Sequence, residues 1–138
     1  MSDLGRFLIA QEDDYETALA EIRNGHKCSC WMWYVFPQIY GLGASSMSRY
    51  YAINDLQEAV DYINHEVLGK RLMEITEALL QLESNDALAV MGWPDDKKLK
   101  SSMTLFSYAA PEISIFQEVL EKFFDGKECQ KTKKRLGV

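Results

Sequence analysis

Cysteine, histidine and positive charge are scarce in this sequence, and long apolar runs are missing. Three cysteines are an odd number, and Cys28 and Cys30 stand too close for an ordinary structural bridge. Reduced thiols in a cytosolic protein fit that usage better than a disulfide framework. The HxCxC run of His26, Cys28 and Cys30 finds only His65 and Cys129 as further side chains of its kind. Structural zinc takes four ligands, commonly in CxxC-type spacing, so no metal is expected, and no other cofactor. A redox pair would also want the CxxC spacing. No segment approaches the roughly 20 apolar residues that span a bilayer. The N-terminus carries an acid, Asp3, where a secretory signal carries positive charge. A cytoplasmic protein is expected, with no membrane partner. Fifteen Lys and Arg against 21 Asp and Glu leave a net charge of −6, which argues against nucleic acid as a partner. There is no fixed-period repeat, no low-complexity tract and no linker. A single domain over residues 1–138 is therefore expected, long enough to bury a core without disulfides or metals. The sequence does not set an oligomeric state.

What is present is concentrated in one stretch, Gly25 to Gly43. It holds two of the three tryptophans, two of the three cysteines and the apolar run Trp31 to Phe36. Large aromatics bury the most area, so this stretch is the expected anchor of the core. It is also an expected pocket wall, since pockets are apolar surfaces with a few polar groups aimed inward.

The rest reads as helix nearly throughout, with no alternating pattern of a half-buried strand. Asp3 suits the cap of a short first helix, and Asp13 or Asp14 that of a second, carrying Tyr15, Ala18, Leu19 and Ile22. Asn24-Gly25 is a helix stop. Trp31 to Phe36 is predicted as a short buried helix that Pro37 ends, with a loop from Gln38 to Ser45. Ser45, Ser46 or Ser48 can cap the next short helix, and Asn54 another. The clearest helix carries Leu68, Leu72, Ile75, Leu79 and Leu82. Ser84 to Asp86 forms a turn and cap, followed by a short apolar helix that Gly92 stops. Pro94 suits the first turn of a helix bearing Asp95 and Asp96. An amphipathic helix follows Pro111, then a basic terminal one. The expected fold is all-α, an irregular bundle of short helices.

Three runs carry a resemblance together: GxKxSxWMWYVFPQ at Gly25 to Gln38, GLGxS at Gly41 to Ser45 with YAI at Tyr51 to Ile53, and DDxKLxSSMTLF at Asp95 to Phe106. The opening DLxRFxxAQ, the VLGxRL at Val67 to Leu72 and the closing helix with its glycine support them. The chain resembles a family of small bacterial proteins known as domain of unknown function 1810, sometimes mislabelled calpastatin. The resemblance implies an all-helical single domain of the kind first seen in a mycobacterial hypothetical protein, and no established activity. Two positions depart from the family's usual residues: Cys30 stands in place of His, and Glu66 in place of Pro.

Candidate site residues fall in three groups, each with a structural alternative. Lys98, Ser101 and Ser102 share a helix face. They can hold a phosphate, or Lys98 simply stands at a helix start while the serines bond back to the preceding turn. The loop with Gly43 and Ser46 can bring backbone N–H groups to an anion, or it is a tight turn with a serine cap. Trp31, Trp33 and Gln38 can hold a flat ligand, or they are core. Asp95 and Asp96 are the acid or base candidates if the protein is an enzyme.

The leading reading is a pocket for a small anionic, nucleotide- or sugar-phosphate-like ligand. A looser similarity points to ADP-ribose-type N-glycoside hydrolysis, the chemistry of an all-helical superfamily resembling plant riboflavin-pathway domains. The alternative is a non-catalytic interaction module, with the Trp-rich stretch as core. Its contact surface for an acidic partner would be the basic tail of Lys127, Lys131, Lys133, Lys134 and Arg135.

Overall fold

The computed structural model describes residues 3–138. Among them nine helices follow in order: α1 (Gly5–Arg23), α2 (Met32–Val35), α3 (Ser46–Tyr50), α4 (Leu56–Asn64), α5 (Leu68–Leu80), α6 (Ala87–Met91), α7 (Asp95–Ala109), α8 (Ile115–Phe124) and α9 (Gln130–Leu136). The fold is all-α, as expected. Helix α7 is its centre and packs against α4, α6, α8 and α9. Six successive α7 residues, Ser101 to Phe106, are buried. A helix surrounded in this way needs no polar face. Two of its buried hydroxyls bond back along the helix, Ser101 to the Lys97 carbonyl at 3.2 Å and Thr104 to the Lys100 carbonyl at 2.8 Å.

The aromatic stretch enters the same core. Trp31, Phe36 and Ile39 are buried, and Trp31 packs on Phe36 with ring centroids 6.1 Å apart. Tyr62, Phe106 and Phe116 extend the aromatic chain through the middle of the bundle.

Three local expectations change. The two N-terminal helices are one, α1, of 19 residues. Its inner stripe runs Phe7, Gln11, Tyr15, Ala18, Leu19, Ile22, and the polar Gln11 hid its continuity. Gln11 is buried because its amide donates to the Tyr34 carbonyl at 2.7 Å and the Tyr62 hydroxyl at 2.8 Å. Asp14 is not a cap; it accepts the Tyr34 hydroxyl. Helix α4 is capped by Asp55 rather than Asn54, with Asp55 Oδ1 accepting the Glu58 N–H at 2.8 Å. Pro94 sits at the N-cap of α7, one place ahead of its first turn.

The loop after Pro37 is stapled rather than free. Ile39 and Ile53 form a parallel bridge, in which the Tyr40 N–H reaches the Ile53 carbonyl and the Ile53 N–H reaches the Gln38 carbonyl, both at 2.8 Å. Behind it, Arg6 donates to the Tyr50 and Ala52 carbonyls and pairs with buried Glu58 at 2.9 Å. Between α4 and α5 the backbones touch. A Cβ on Gly69 would lie 2.0 Å from the Ile63 carbonyl oxygen, so only glycine fits there.

Candidate functional site

A cleft of about 500 Å³ opens between the loop after α2 and the first half of α7, and the start of α9 closes one side. Three local features build it. Pro37 ends α2, so the chain turns out of the core through Gln38 and Ile39. Ser45 then caps α3, its hydroxyl accepting the Ser48 N–H at 3.1 Å. Last, α9 folds back over this loop: Arg135 Nε donates to the Tyr40 carbonyl at 3.0 Å. The Arg135 guanidinium also covers Gly41, which sits at φ +100° and leaves no room there for a Cβ.

The floor is apolar, with Ile39, Leu42, Pro94 and one face of Trp33. The rim is basic: Lys97, Lys98, Lys100 and Lys131 line it against a single carboxylate, Glu128. Glu128 is itself paired with Lys133 at 3.1 Å. Among the described residues, Lys97, Lys100 and Lys131 have no carboxylate within ion-pair distance. On a chain of net charge −6, the cleft therefore inverts the sign of the surface. Low-dielectric walls focus such a field.

Lys98 is held in place on two sides. Its ammonium lies 3.9 Å from the Trp33 ring centroid and 3.2 Å from Asp95 Oδ1. The other Asp95 oxygen holds Lys27 at 2.7 Å. Asp95 thus bridges two ammonium groups and fixes Lys98 over the indole. Both of its oxygens are engaged, so it serves as an anchor beside the cleft and does not line it.

The sequence candidates divide accordingly. Trp33, Gln38, Gly43, Lys98 and Ser101 line the one cleft. Trp31 does not: it is 1% exposed, and its indole N–H donates to Glu21 Oε1 at 2.9 Å. Ser46 is exposed on α3, and its neighbour Ser48 lines the cleft instead. Ser102 is fully buried with no partner for its hydroxyl, since it lies 100° round α7 from Ser101. Asp96 is outside the cleft lining, with one carboxylate oxygen buried and unpartnered. Cys30 is exposed and does not line the cleft.

The cleft also takes residues that the sequence reading did not place in it: Lys97, Lys100, Glu128, Cys129, Gln130 and Lys131, the last assigned instead to a basic contact tail. The KKxK spacing beside Lys98 was a visible signal. The α9 residues gave none, because a basic tail reads the same whether it is solvated or docked. Cys129 is clamped by two α7 side chains one turn apart. Thr104 Oγ1 accepts its N–H at 2.9 Å, and the Ser101 hydroxyl lies 3.2 Å from its sulfur. Burial raises this thiol, but the Ser101 hydroxyl and the Thr132 and Lys131 backbone N–H groups around it outweigh that and hold it below its ordinary range.

Among the described residues, no three His, Cys, Asp or Glu side chains gather where a metal could sit. No helix there is long and apolar enough to cross a membrane.

An all-helical chain with one basic, aromatic-floored cleft is the class that fold and geometry define. The chain belongs to the family described as Protein of unknown function (DUF1810), which it matches over residues 1–136. It is similar to the conserved hypothetical protein Rv1873 from Mycobacterium tuberculosis, solved by crystallography at 1.38 Å. The two are 42% identical with a TM-score of 0.96, and the match covers 99% of this chain and 97% of that one. Comparison with the curated proteins finds no match.

Proposed function

We propose that the cleft binds a small anionic ligand with a flat or apolar body, of the nucleotide or sugar-phosphate kind. The observation that carries this is the pairing of four lysines with the Trp33 face around one cavity of about 500 Å³, a volume in the ordinary range of small-molecule sites. Lys98 is held over Trp33, so a ligand that packs beside the indole meets a fixed positive charge. Ser101, Ser48 and Gln38 offer hydrogen bonds from the walls. If the ligand is an N-glycoside and is hydrolysed, Glu128 is the carboxylate that lines the cleft, in place of Asp95 or Asp96. The interaction-module reading assigns the basic tail to an acidic partner. The docking of α9 weighs against it, because Lys131 faces the cleft and Arg135 is engaged with Tyr40.

The test is calorimetric titration with ADP, ADP-ribose, ribose 5-phosphate and inorganic phosphate, in the native chain and in Lys98→Ala. Loss of one direct charge contact is expected to weaken binding by about tenfold, or 1.4 kcal/mol, with the melting temperature of the free protein little changed. Binding of the native chain should also fall as salt rises. Absence of heat across the whole panel would sink the reading. So would equal affinity in the variant.

A further inference from the structure

Cys129 is the cleft's sulfur, and nothing in the anion-binding reading uses it. Among the described residues, the other two cysteines are exposed and line no part of the cleft. The surroundings of Cys129 are built around its sulfur. Ser101, 6% exposed, sits 3.2 Å from Sγ, with its one proton shared between the sulfur and the Lys97 carbonyl. The Thr132 hydroxyl is fully buried, makes no hydrogen bond, and lies beside the same thiol. Thr104 fixes the Cys129 backbone from below. The result is a half-buried thiol, hydrogen-bonded by Ser101, at the wall of a lysine-lined cavity.

We propose that Cys129 is a modification site at which a small carboxylate-bearing disulfide, gathered by the cleft lysines, forms a mixed disulfide that fills the cleft. This rests on the anion-binding reading of the same cavity. The Cys129 thiol first gives its proton to water. The thiolate then attacks one sulfur of the incoming disulfide; a new S–S bond forms as the old one breaks, and the departing half leaves as a thiolate that takes up a proton. The Cys129 sulfur is oxidised and the departing sulfur reduced, so the disulfide itself is the oxidant and no further reagent is needed. Selection by charge separates this site from Cys28 and Cys30. Those thiols are exposed, and Cys30 lies on the acidic Asp14 side of α2, where Tyr34 bridges its carbonyl to the Asp14 carboxylate.

The experiment compares oxidised glutathione, which is anionic, with cystamine, which is cationic, on Cys28→Ser/Cys30→Ser protein, whose remaining thiol is Cys129. Free N-acetylcysteine gives the reference ratio of the two rates. Mass spectrometry follows the adduct, and peptide mapping of the native chain reads the same preference without any substitution. The anionic-to-cationic rate ratio at Cys129 is expected to exceed the reference by about tenfold or more, the scale of electrostatic steering. It is expected to fall towards the reference in Lys131→Ala and in high salt. Adduct formation is also expected to abolish binding of any nucleotide that titrates. A ratio equal to the reference, or adducts placed mainly on Cys28 or Cys30, would overturn the inference. If nucleotides bind while Cys129 shows no preference, only the thiol inference falls. If neither occurs, the anion reading falls with it. If the preference appears without any nucleotide binding, the thiol inference stands and the ligand class is revised to carboxylates.

Discussion

The indole N–H of Trp31 donates to Glu21 Oε1 at 2.9 Å, and the same oxygen accepts the backbone N–H groups of Cys28 and Ser29 at 2.8 and 2.9 Å. The Ser29 hydroxyl donates to the other oxygen at 2.5 Å. One carboxylate thus ties the end of α1 to the turn that delivers the aromatic stretch into the core.

That arrangement predicts a pH dependence. Burial raises the Glu21 carboxyl, but the hydrogen bonds from Ser29, Cys28 and Trp31 outweigh it and hold it at about 2, against an ordinary value of 4.5. A depressed folded value means stability that is complete above the unfolded value and is lost as pH falls towards the folded one. Glu21→Gln should cost about 1–3 kcal/mol at neutral pH, where the turn's donors lose a charged acceptor. The gap between the two proteins should then close between pH 4.5 and about 2. Chemical denaturation across that range checks it; a gap independent of pH would refute the assignment.

Gly69→Ala reverses a general rule. In an ordinary helix interior, alanine is favoured over glycine by about 1 kcal/mol. Here the new Cβ would fall 2.0 Å from the Ile63 carbonyl oxygen, a backbone atom with no rotamer to escape into. The substitution should cost about 1–3 kcal/mol or more, as overpacking does. A urea melt that showed stabilisation would mean α4 and α5 can slide apart.

The Arg6–Glu58 pair is buried on both sides, with side chains 8% and 4% exposed. Breaking it from one side leaves a buried charge, so Glu58→Ala should cost about 3–5 kcal/mol. Arg6 also ties down the Tyr50 and Ala52 carbonyls. The damage should therefore spread to the loop carrying the Ile39–Ile53 bridge, read as faster amide exchange at Tyr40 and Ile53. Unchanged exchange there would show that the bridge stands without the pair.

Trp33→Leu separates the ligand classes. If the ligand carries a base that stacks on the indole, the loss should weaken nucleotides by about 1–3 kcal/mol and leave ribose 5-phosphate nearly untouched. Equal loss for both would mean that the indole serves only to seat Lys98. Paired titrations decide between them.

The sequence made much of this fold legible because most helices carry their own stops and apolar stripes. Gln11 shows where that fails: a buried amide looks like a solvent position until its partners, Tyr34 and Tyr62, are known. Asp55 and Asn54 are adjacent and equally able to cap, and only the position of Glu58 decides between them. The cleft was legible on one side. Trp33, Gln38, Gly43, Lys98 and Ser101 lie in runs dense with chemistry, and the fold brings them together. Trp31 and Ser102 sit in the same runs yet point into the core, a difference of helix angle that composition does not carry. Cys129 and Lys131 lay beyond reach, because their place depends on α9 packing against α7.

The grip of Arg135 on the Tyr40 carbonyl also bears on how the protein is made. A chain leaving the ribosome exposes Trp33 and Gln38 early, while Lys131 and Arg135 are still in the exit tunnel. Until those residues emerge and dock, the cavity lacks a wall, its cysteine and one of its lysines. The cavity therefore takes its full shape only once α9 has docked over the loop and against α7.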